Sequence, residues 1–198
     1  MSAPRGAVGI VLAAGASRRV GSIKALAELD GRALLDVICD KLVAGGCEQV
    51  VVVVGPPHQA AIESAVGGRH RVVDNPDPGL GMLHSLQLGI AAAGEADAAV
   101  VALVDHPSVR AETVSALLRA HAQGPGAVLQ PEYEGRRGHP FVVDHGAFAA
   151  ILRAEPTAVT RDVLMAAGER LVVPVDDPGV LEDIDTSEGL EKIGASAR

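Results

Sequence analysis

The chain has 198 residues, of which 48% are hydrophobic and 21% are charged, and its formal net charge is −8. An acidic chain without a block of like charges lacks the basic stripe that nucleic acids and anionic membranes require, which argues against both kinds of partner. One tyrosine, two phenylalanines and no tryptophan also argue against a protein that stacks nucleic-acid bases on aromatic rings.

The sequence also bears on the compartment. No apolar run approaches the roughly 20 residues that span a bilayer, and residues 1–5 are too short for a signal peptide. Cys39 and Cys47 lie close together and are typical of core residues in a reduced compartment rather than of a disulfide framework. We therefore expect a cytoplasmic protein with one domain over residues 1–198.

Short apolar runs alternate with helical patterns along the chain. The predicted strands cover residues 7–12, 49–54, 71–74, 98–104, 127–130, 140–143 and 171–175. The predicted helices cover residues 33–44, 59–66, 82–93, 110–122, 146–153 and 160–167. This alternation predicts a doubly wound α/β domain with one mostly parallel sheet and helices on both faces. Ligands of such sheets bind at the carboxyl ends of the strands, so the segments that follow strands should carry the function.

The segment after the first predicted strand, residues 12–24, reads LAAGASRRVGSIK. Its glycines allow backbone N–H groups to approach a phosphate, and Arg18, Arg19 and Lys24 can offset the charge of a triphosphate. It is not a P-loop, because five residues separate its two glycines, and the Gly-x-Gly-x-x-Gly fingerprint of dinucleotide-binding proteins is absent. On charge alone, a plain polar turn between strand and helix is the alternative.

Acidic residues follow two predicted extended segments that lie far apart in the chain. Asp105 ends the fourth predicted strand, where a carboxylate can hold Mg²⁺ or simply cap the next helix. Near the C-terminus, Asp183 and Asp185 alternate along an extended segment, so only one of them should meet a metal. Because Mg²⁺ takes one or two carboxylates and completes its shell with phosphate oxygens and water, two acids and a cationic loop predict a nucleotidyl-transfer site.

Two further segments carry possible ligand contacts. Residues 74–86 are rich in turn residues and lead into a helix, whose N-terminus offers unpaired N–H groups and partial positive charge to an anion or a base edge. Arg136 and Arg137 lie beside a Gly-His-Pro turn at residues 138–140, which suits a phosphorylated acceptor. An ordinary capped loop and a solvated basic turn are the respective alternatives.

Residues 12–24 resemble the signature loop of the MobA-like NTP transferases, Leu-Ala-Ala-Gly-x-Ser-x-Arg-Met-Gly-x-x-Lys, with Val20 in place of the methionine. Three more segments resemble motifs of that family in the same order: residues 75–86, 105–107 and 138–140. The Ala-Ala-Gly form of the loop and the Gly-His-Pro turn resemble the molybdenum cofactor cytidylyltransferase branch. The resemblance therefore covers almost the whole chain.

The resemblance implies roles for the matching residues. The nucleotide-binding residues would be Ala14, Gly15, Ser17, Gly21, Asn75, Gly81 and Ser85. The catalytic residues would be Arg19, Lys24 and Asp105, the metal ligands Asp105 and Asp185, and the acceptor-binding residues Arg136, Arg137 and His139. The sequence departs from the family at His106, where glutamine is commoner, and at Leu83 and His84, where small or polar residues are usual.

The implied reaction is the Mg²⁺-dependent transfer of CMP from CTP to the molybdopterin cofactor, with release of pyrophosphate. A molybdoenzyme or its chaperone would be a fitting protein partner. Two alternatives stay open: a nucleotidyltransferase for a sugar phosphate or another metabolite, and a non-catalytic module that binds a nucleotide or cofactor. The presence of Lys24, Asp105 and Asp185 together argues against the non-catalytic module, because a binder needs no metal pair. The missing fingerprint argues against a dinucleotide-dependent oxidoreductase.

Overall fold

A computed structural model describes residues 6–15, 24–124, 126–184, 189 and 195–196. The predictions for four site residues lie outside this part of the chain: Ser17, Arg19, Gly21 and Asp185.

Strands and helices alternate along the described chain, as predicted. The strands are β1 (Ala7–Leu12), β2 (Glu28–Leu29), β3 (Arg32–Ala33), β4 (Cys47–Val54), β5 (Arg71–Asp74), β6 (Ala98–Leu103), β7 (Val128–Tyr133), β8 (Arg136–Arg137), β9 (Phe141–Asp144), β10 (Arg170–Pro174) and β11 (Ala195–Ser196). The helices are α1 (Leu34–Ala44), α2 (Gln59–Val66), α3 (Met82–Ala93), α4 (Ala111–Gln123), α5 (His145–Arg153) and α6 (Thr160–Ala166). Within the described residues, none of these helices has the length and apolar character needed to cross a bilayer.

The main sheet has the strand order β10-β7-β9-β6-β1-β4-β5, with β8 paired to β7. Neighbouring strands run parallel, except that β9 is antiparallel to both β6 and β7 and that β8 is antiparallel to β7. A second, small antiparallel sheet has the order β11-β2-β3. The predicted mostly parallel α/β sheet is therefore confirmed.

The hydrophobic core lies on both faces of the main sheet. Successive residues of a strand point to opposite faces, so Ile10 packs into one core cluster and Val11 into the other. Helices α3 and α5 cover the Ile10 face, whereas α1 and α4 cover the Val11 face. Because both faces are covered, β1, β6 and the last five residues of β4 are continuously apolar, which is the pattern that predicted these strands.

Both cysteines belong to this core. Cys39 and Cys47 are buried and carry free thiols, which confirms their prediction as core residues rather than disulfide partners. Burial raises the pKa of each thiol to about 12, so neither is a reactive thiolate near neutral pH.

Two short hairpins were not predicted. The turn between β2 and β3 is Asp30-Gly31, with φ angles of 51° and 75°, and the turn between β7 and β8 is Glu134-Gly135, with φ angles of 49° and 74°. Positive φ at both central residues is typical of a type I′ turn, and an Asp-Gly pair is its usual sequence signal. That signal was present at residues 30–31, but strands of two residues are too short to show an alternating apolar pattern.

The close contact between α3 and β1 gives a test of the fold. A Cβ atom at Gly89 would lie 2.5 Å from Cγ2 of the buried Ile10, so Gly89→Ala should lower the free energy of unfolding. Overpacking costs about 1–3 kcal/mol and better helix propensity returns about 1 kcal/mol, so we expect a net loss of about 1 kcal/mol in urea unfolding. Gly124→Ala is the matched control, because a Cβ there has no neighbour within 4 Å. Equal stability of Gly89→Ala and the parent would contradict this packing.

Candidate functional site

The site lies where the two central strands end. β1 connects through α1 towards β4 on one side, and the chain returns from β5 through α3 to β6 on the other side of β1. Such a switch point leaves a crevice at the carboxyl ends of the strands. A cavity of about 310 Å³ lies in this crevice, and we call it the central cavity. Its lining contains six of the predicted site residues: Ala14, Gly15, Lys24, Gly81, Ser85 and Asp105.

Asp105 follows β6 directly and presents an unusual carboxylate. Its Oδ1 atom is covered from solvent and has no hydrogen-bond partner among the described residues. The imidazole of His106 lies close by, but its Nε2 is 3.8 Å from Oδ1, beyond hydrogen-bond distance. A covered, unpaired carboxylate oxygen is costly in a folded protein and is the chemistry that a hard cation prefers.

These donors fit a divalent cation only in part. No group of three or more metal-binding side chains is present in the described part of the chain. Mg²⁺ needs no such group, because one or two carboxylates suffice when phosphate oxygens and water complete its coordination. The free Oδ1 of Asp105 in a cavity lined also by Lys24 is therefore compatible with a metal-bound triphosphate.

Lys24 reaches this cavity from the segment after the first loop. It begins a short 3-10 helix, Lys24–Leu26, and only 7% of its surface is exposed. A lysine that lines a cavity while it is this well covered contributes a cation to the cavity rather than to the solvent-facing surface. Of the three cations in the predicted loop, Lys24 alone belongs to the described residues, since residues 16–23 lie outside them.

Helix α3 begins at the central cavity. Gly81 precedes the helix with a φ angle of 105°, a conformation that L side chains rarely adopt, and Met82 and Ser85 follow it along the cavity wall. The first backbone N–H groups of a helix lack partners inside the helix, so this wall suits an anion or a base edge.

Asn75 has a different place from the one its predicted role suggests. It is fully buried, its Nδ2 donates to Oγ of Ser85 at 2.9 Å, and its Oδ1 accepts from the backbone N of Asp77 at 3.0 Å. Asn75 therefore orients Ser85 at the start of α3, and a direct contact between Asn75 and a nucleotide stays a prediction. The sequence contains no signal that distinguishes a buried hydrogen bond between Asn75 and Ser85 from two separate contacts to a ligand.

The segment 177–184 ties the loops of the site together. The backbone N of Ile184 donates to the carbonyl of Asp105 at 2.8 Å, and the backbone N of His139 donates to the carbonyl of Val180 at 2.9 Å. A Cβ atom at Gly138 would lie 2.1 Å from that same Val180 carbonyl oxygen, so only glycine fits there. The last described residue before Asp185 is thus adjacent to Asp105, and the pairing of the two acids stays a prediction.

Sequence reasoning missed a lysine that supports the Asp105 loop. Lys41, in α1, donates from Nζ to the carbonyl of Pro107 at 2.6 Å, and burial lowers the pKa of its ammonium group. It joins α1 to the loop that carries Asp105. A contact across 66 residues leaves no local sequence signal.

A second cavity, of about 420 Å³, lies beside the first and shares Met82 with it. We call it the arginine cavity, because Arg137, Arg161 and Arg170 line it together with His139. Two of the predicted acceptor residues, Arg137 and His139, are therefore adjacent to the central cavity. Arg136 is exposed on β8 and is not part of this lining, and Arg161 and Arg170 were not predicted.

Two largely covered histidines lie against each other at the arginine cavity, which His139 lines. The rings of His106 and His139 lie 4.7 Å apart, and the His139 ring also meets Phe141 edge-on at 5.9 Å. Burial, followed by the charge of His106, lowers the pKa of His139 from 6.5 to about 4. His139 is thus neutral at neutral pH and can donate or accept one hydrogen bond in the arginine cavity.

A mostly parallel sheet whose strand order reverses beside β1, with a cavity at that switch point, is typical of nucleotide-binding α/β proteins. The chain belongs to the MobA-like NTP transferase domain family, which it matches over residues 9–180. The recognition of this family from four sequence motifs is confirmed, and the activity that defines the family is nucleotidyl transfer.

Two relatives are similar over most of their length. Nicotine blue oxidoreductase of Paenarthrobacter nicotinovorans is 35% identical, over 93% of this chain and 95% of that protein. A probable molybdenum cofactor guanylyltransferase of Mycobacterium marinum is 31% identical, over 91% of this chain and 84% of that protein. The names of these two relatives point to different reactions.

Solved structures support the fold. The crystal structure of Rv0371c from Mycobacterium tuberculosis superposes with a TM-score of 0.82 at 24% identity and covers 98% of both chains. A complex of Rv0371c with manganese superposes with a TM-score of 0.76 at 22% identity, over 95% of this chain and 97% of that chain.

The neutral His139 predicts acid sensitivity. Above pH 6.5 neither the folded nor the unfolded state protonates this side chain, but below 6.5 the unfolded state binds a proton that the folded state excludes down to about pH 4. The free energy of unfolding should therefore fall across this window by up to about 3 kcal/mol, at about 1.4 kcal/mol per pKa unit. His139→Gln should remove this part of the pH dependence in urea titrations. Identical pH slopes for parent and variant would show that His139 is not buried in its neutral form.

Proposed function

We propose that the protein transfers CMP from CTP to a phosphorylated acceptor of the molybdopterin type and releases pyrophosphate. The observation that carries this proposal is the pair of adjoining cavities: the central cavity combines Lys24 with Asp105, whose Oδ1 has no hydrogen-bond partner among the described residues, and the next cavity offers Arg137 and His139. A donor and an acceptor held in neighbouring cavities can react without a protein nucleophile. We propose further that one domain, spanning the chain, does this work.

The reaction needs an oxygen of the acceptor phosphate to attack the α-phosphorus of the NTP. The bond between the α-phosphorus and the oxygen bridging to the β-phosphorus breaks, and that oxygen leaves with the pyrophosphate. Lys24 is suited to stabilise the negative charge that grows on the departing pyrophosphate. The N-terminus of α3, beginning after Gly81, offers N–H groups to the nucleotide, with Ser85 held in place by Asn75.

Asp105 is the described residue suited to hold the metal, with Asp185 as its proposed partner. The covered, unpaired Oδ1 of Asp105 supports this role, as does the hydrogen bond from Ile184 to the Asp105 carbonyl, which brings the chain before Asp185 to the same loop. When bound, Mg²⁺ would neutralise phosphate charge and align the reacting groups. Arg19 is proposed to assist Lys24 from the same loop.

The choice of CTP rests on the Ala13-Ala14-Gly15 form of the loop and on the Gly-His-Pro turn at residues 138–140, both of which resemble the cytidylyltransferase branch. The Mycobacterium marinum relative, whose name specifies guanylyl transfer, supports GTP as the alternative donor. A second candidate function comes from the Paenarthrobacter relative, whose name specifies an oxidoreductase that acts on nicotine blue. That candidate would need a reductant such as a reduced nicotinamide or flavin.

The first experiment measures pyrophosphate release from each of the four NTPs with Mg²⁺, with and without molybdopterin cofactor. We expect release with CTP only when the acceptor is present, and none when a chelator removes the metal. Release with GTP would keep the reaction class and change the donor. A parallel assay follows oxidation of NADH and NADPH in the presence of nicotine blue. Turnover there, with no pyrophosphate from any NTP, would replace the transferase proposal with the oxidoreductase.

Asp105→Asn tests the proposed metal role. The substitution keeps the shape of the side chain but removes the charge, so kcat should fall by about 100-fold or more, while the urea midpoint changes little. Asp183→Asn is the matched control, because Asp183 is an exposed acid in the neighbouring segment and should leave kcat unchanged. Parental turnover in Asp105→Asn would remove Asp105 from the metal site.

A further inference from the structure

The arginine cavity concentrates positive charge in an acidic protein. Arg137 comes from β8, Arg161 from the first turn of α6 and Arg170 from the start of β10, so three separate elements each contribute an arginine to the lining of one cavity of about 420 Å³. The chain as a whole carries a net charge of −8. Arg137 and Arg161 are exposed and Arg170 is half-buried, so the cavity presents a local cluster of positive charge to solvent.

The three guanidinium groups lack acidic partners. In the described chain, no carboxylate oxygen lies within 4.0 Å of any of them, although Glu132 is the cross-strand neighbour of Arg137. Arg170 is held instead by a neutral group, because its Nη2 donates to Oε1 of Gln130. Burial, and then the charges of Arg137 and Arg161, lower the pKa of Arg170. Like charges held together without a counterion gain energy when an anion binds between them.

The remaining walls define what else the ligand needs. Val128, Phe141 and Leu164 give an apolar surface, and Met82 belongs to this cavity and to the central cavity. These walls suit a ligand that carries an apolar body beside its anionic end. None of the three arginines lines the central cavity, where the α-phosphorus of the donor is proposed to lie.

We propose that the arginine cavity is an oxyanion-binding site and that Arg161 and Arg170 are its principal ligands. Taken with the proposed function, on which this part of the inference rests, the oxyanion belongs to the acceptor and is not the phosphate that receives the nucleotide. The reacting phosphate must lie near Met82, at the junction of the cavities, to reach the donor. The acceptor class is thus a molecule with two separate anionic groups, one reactive and one that anchors it at Arg161 and Arg170.

The test measures anion binding directly at these arginines. Inorganic phosphate is titrated into the full chain, with Mg²⁺ and an α,β-methylene analogue of CTP present in excess. The Nε–Hε NMR resonances of Arg161 and Arg170, identified by their loss in Arg161→Gln and Arg170→Gln, are followed. We expect saturable shifts, with affinity about tenfold weaker in each variant because a charge-assisted hydrogen-bond donor is lost. Arg153→Gln is the matched control, an exposed arginine on α5 outside both cavities, and should bind phosphate as the parent does.

Steady-state kinetics then test the link to the acceptor. If the anchor acts only in binding, both glutamine variants should raise the KM for the acceptor about tenfold, with kcat and the KM for CTP little changed. Phosphate that fails to shift either resonance, or that binds the double variant as tightly as the parent, would overturn the oxyanion site. If no NTP yields pyrophosphate while the arginine resonances still titrate, the proposed reaction fails and the oxyanion site stands. A shifted resonance with an unchanged acceptor KM would overturn its assignment to the acceptor.

Discussion

The geometry of the site depends on how the segment 177–184 crosses the ends of β6 and β9. Asp177, only 3% exposed, accepts hydrogen bonds from the backbone N of Arg110 and from Oγ1 of Thr113, which anchors one end of the segment to the start of α4. Val180 then binds the backbone of His139, and Ile184 binds the backbone of Asp105. The loop after β6 and the loop before β9 are thereby held to one strip of backbone. Both loops are joined to this segment by direct backbone hydrogen bonds, so a small shift of the segment would move the two loops together.

Charge is distributed within the site so that an acidic protein can bind anionic ligands. The carboxylate of Asp105 and the ammonium of Lys24 line the central cavity, whereas Arg137, Arg161 and Arg170 line the adjoining arginine cavity. His139 lines the arginine cavity and its ring lies 4.7 Å from that of His106, and burial keeps His139 neutral. The neutrality of His139 matters, because a positive charge there would repel the arginines that line the same cavity.

Local patterns predicted the sheet and the central cavity well, for physical reasons. Strands covered on both faces must be apolar throughout, which marked β1 and β6, and in a parallel sheet the residues after such strands meet at one edge, which brought Gly15 and Asp105 together. What could not be predicted depends on contacts distant in sequence. The antiparallel insertion of β9 between β6 and β7, the support of Pro107 by Lys41, and the burial of Asn75 against Ser85 leave no periodic signal. In the sequence, Arg161 and Arg170 have no feature that sets them apart from ordinary surface residues. Only the fold shows that α6 and β10 bring them to the same cavity as Arg137.

The two cavities also explain how one fold can have relatives named for different reactions. The central cavity is lined by the turns that follow the central strands and by the start of α3. The strand order of the sheet determines where these segments lie. The arginine cavity is built from side chains of β8, α6 and β10, near the edge of the sheet, where substitution disturbs the core less. Because fold alone does not determine chemistry, a change of acceptor, or even of reaction, would be expected first at this edge. The histidine pair is where the two sites meet, since His139 lines the arginine cavity and Nε2 of its neighbour His106 lies 3.8 Å from Oδ1 of Asp105.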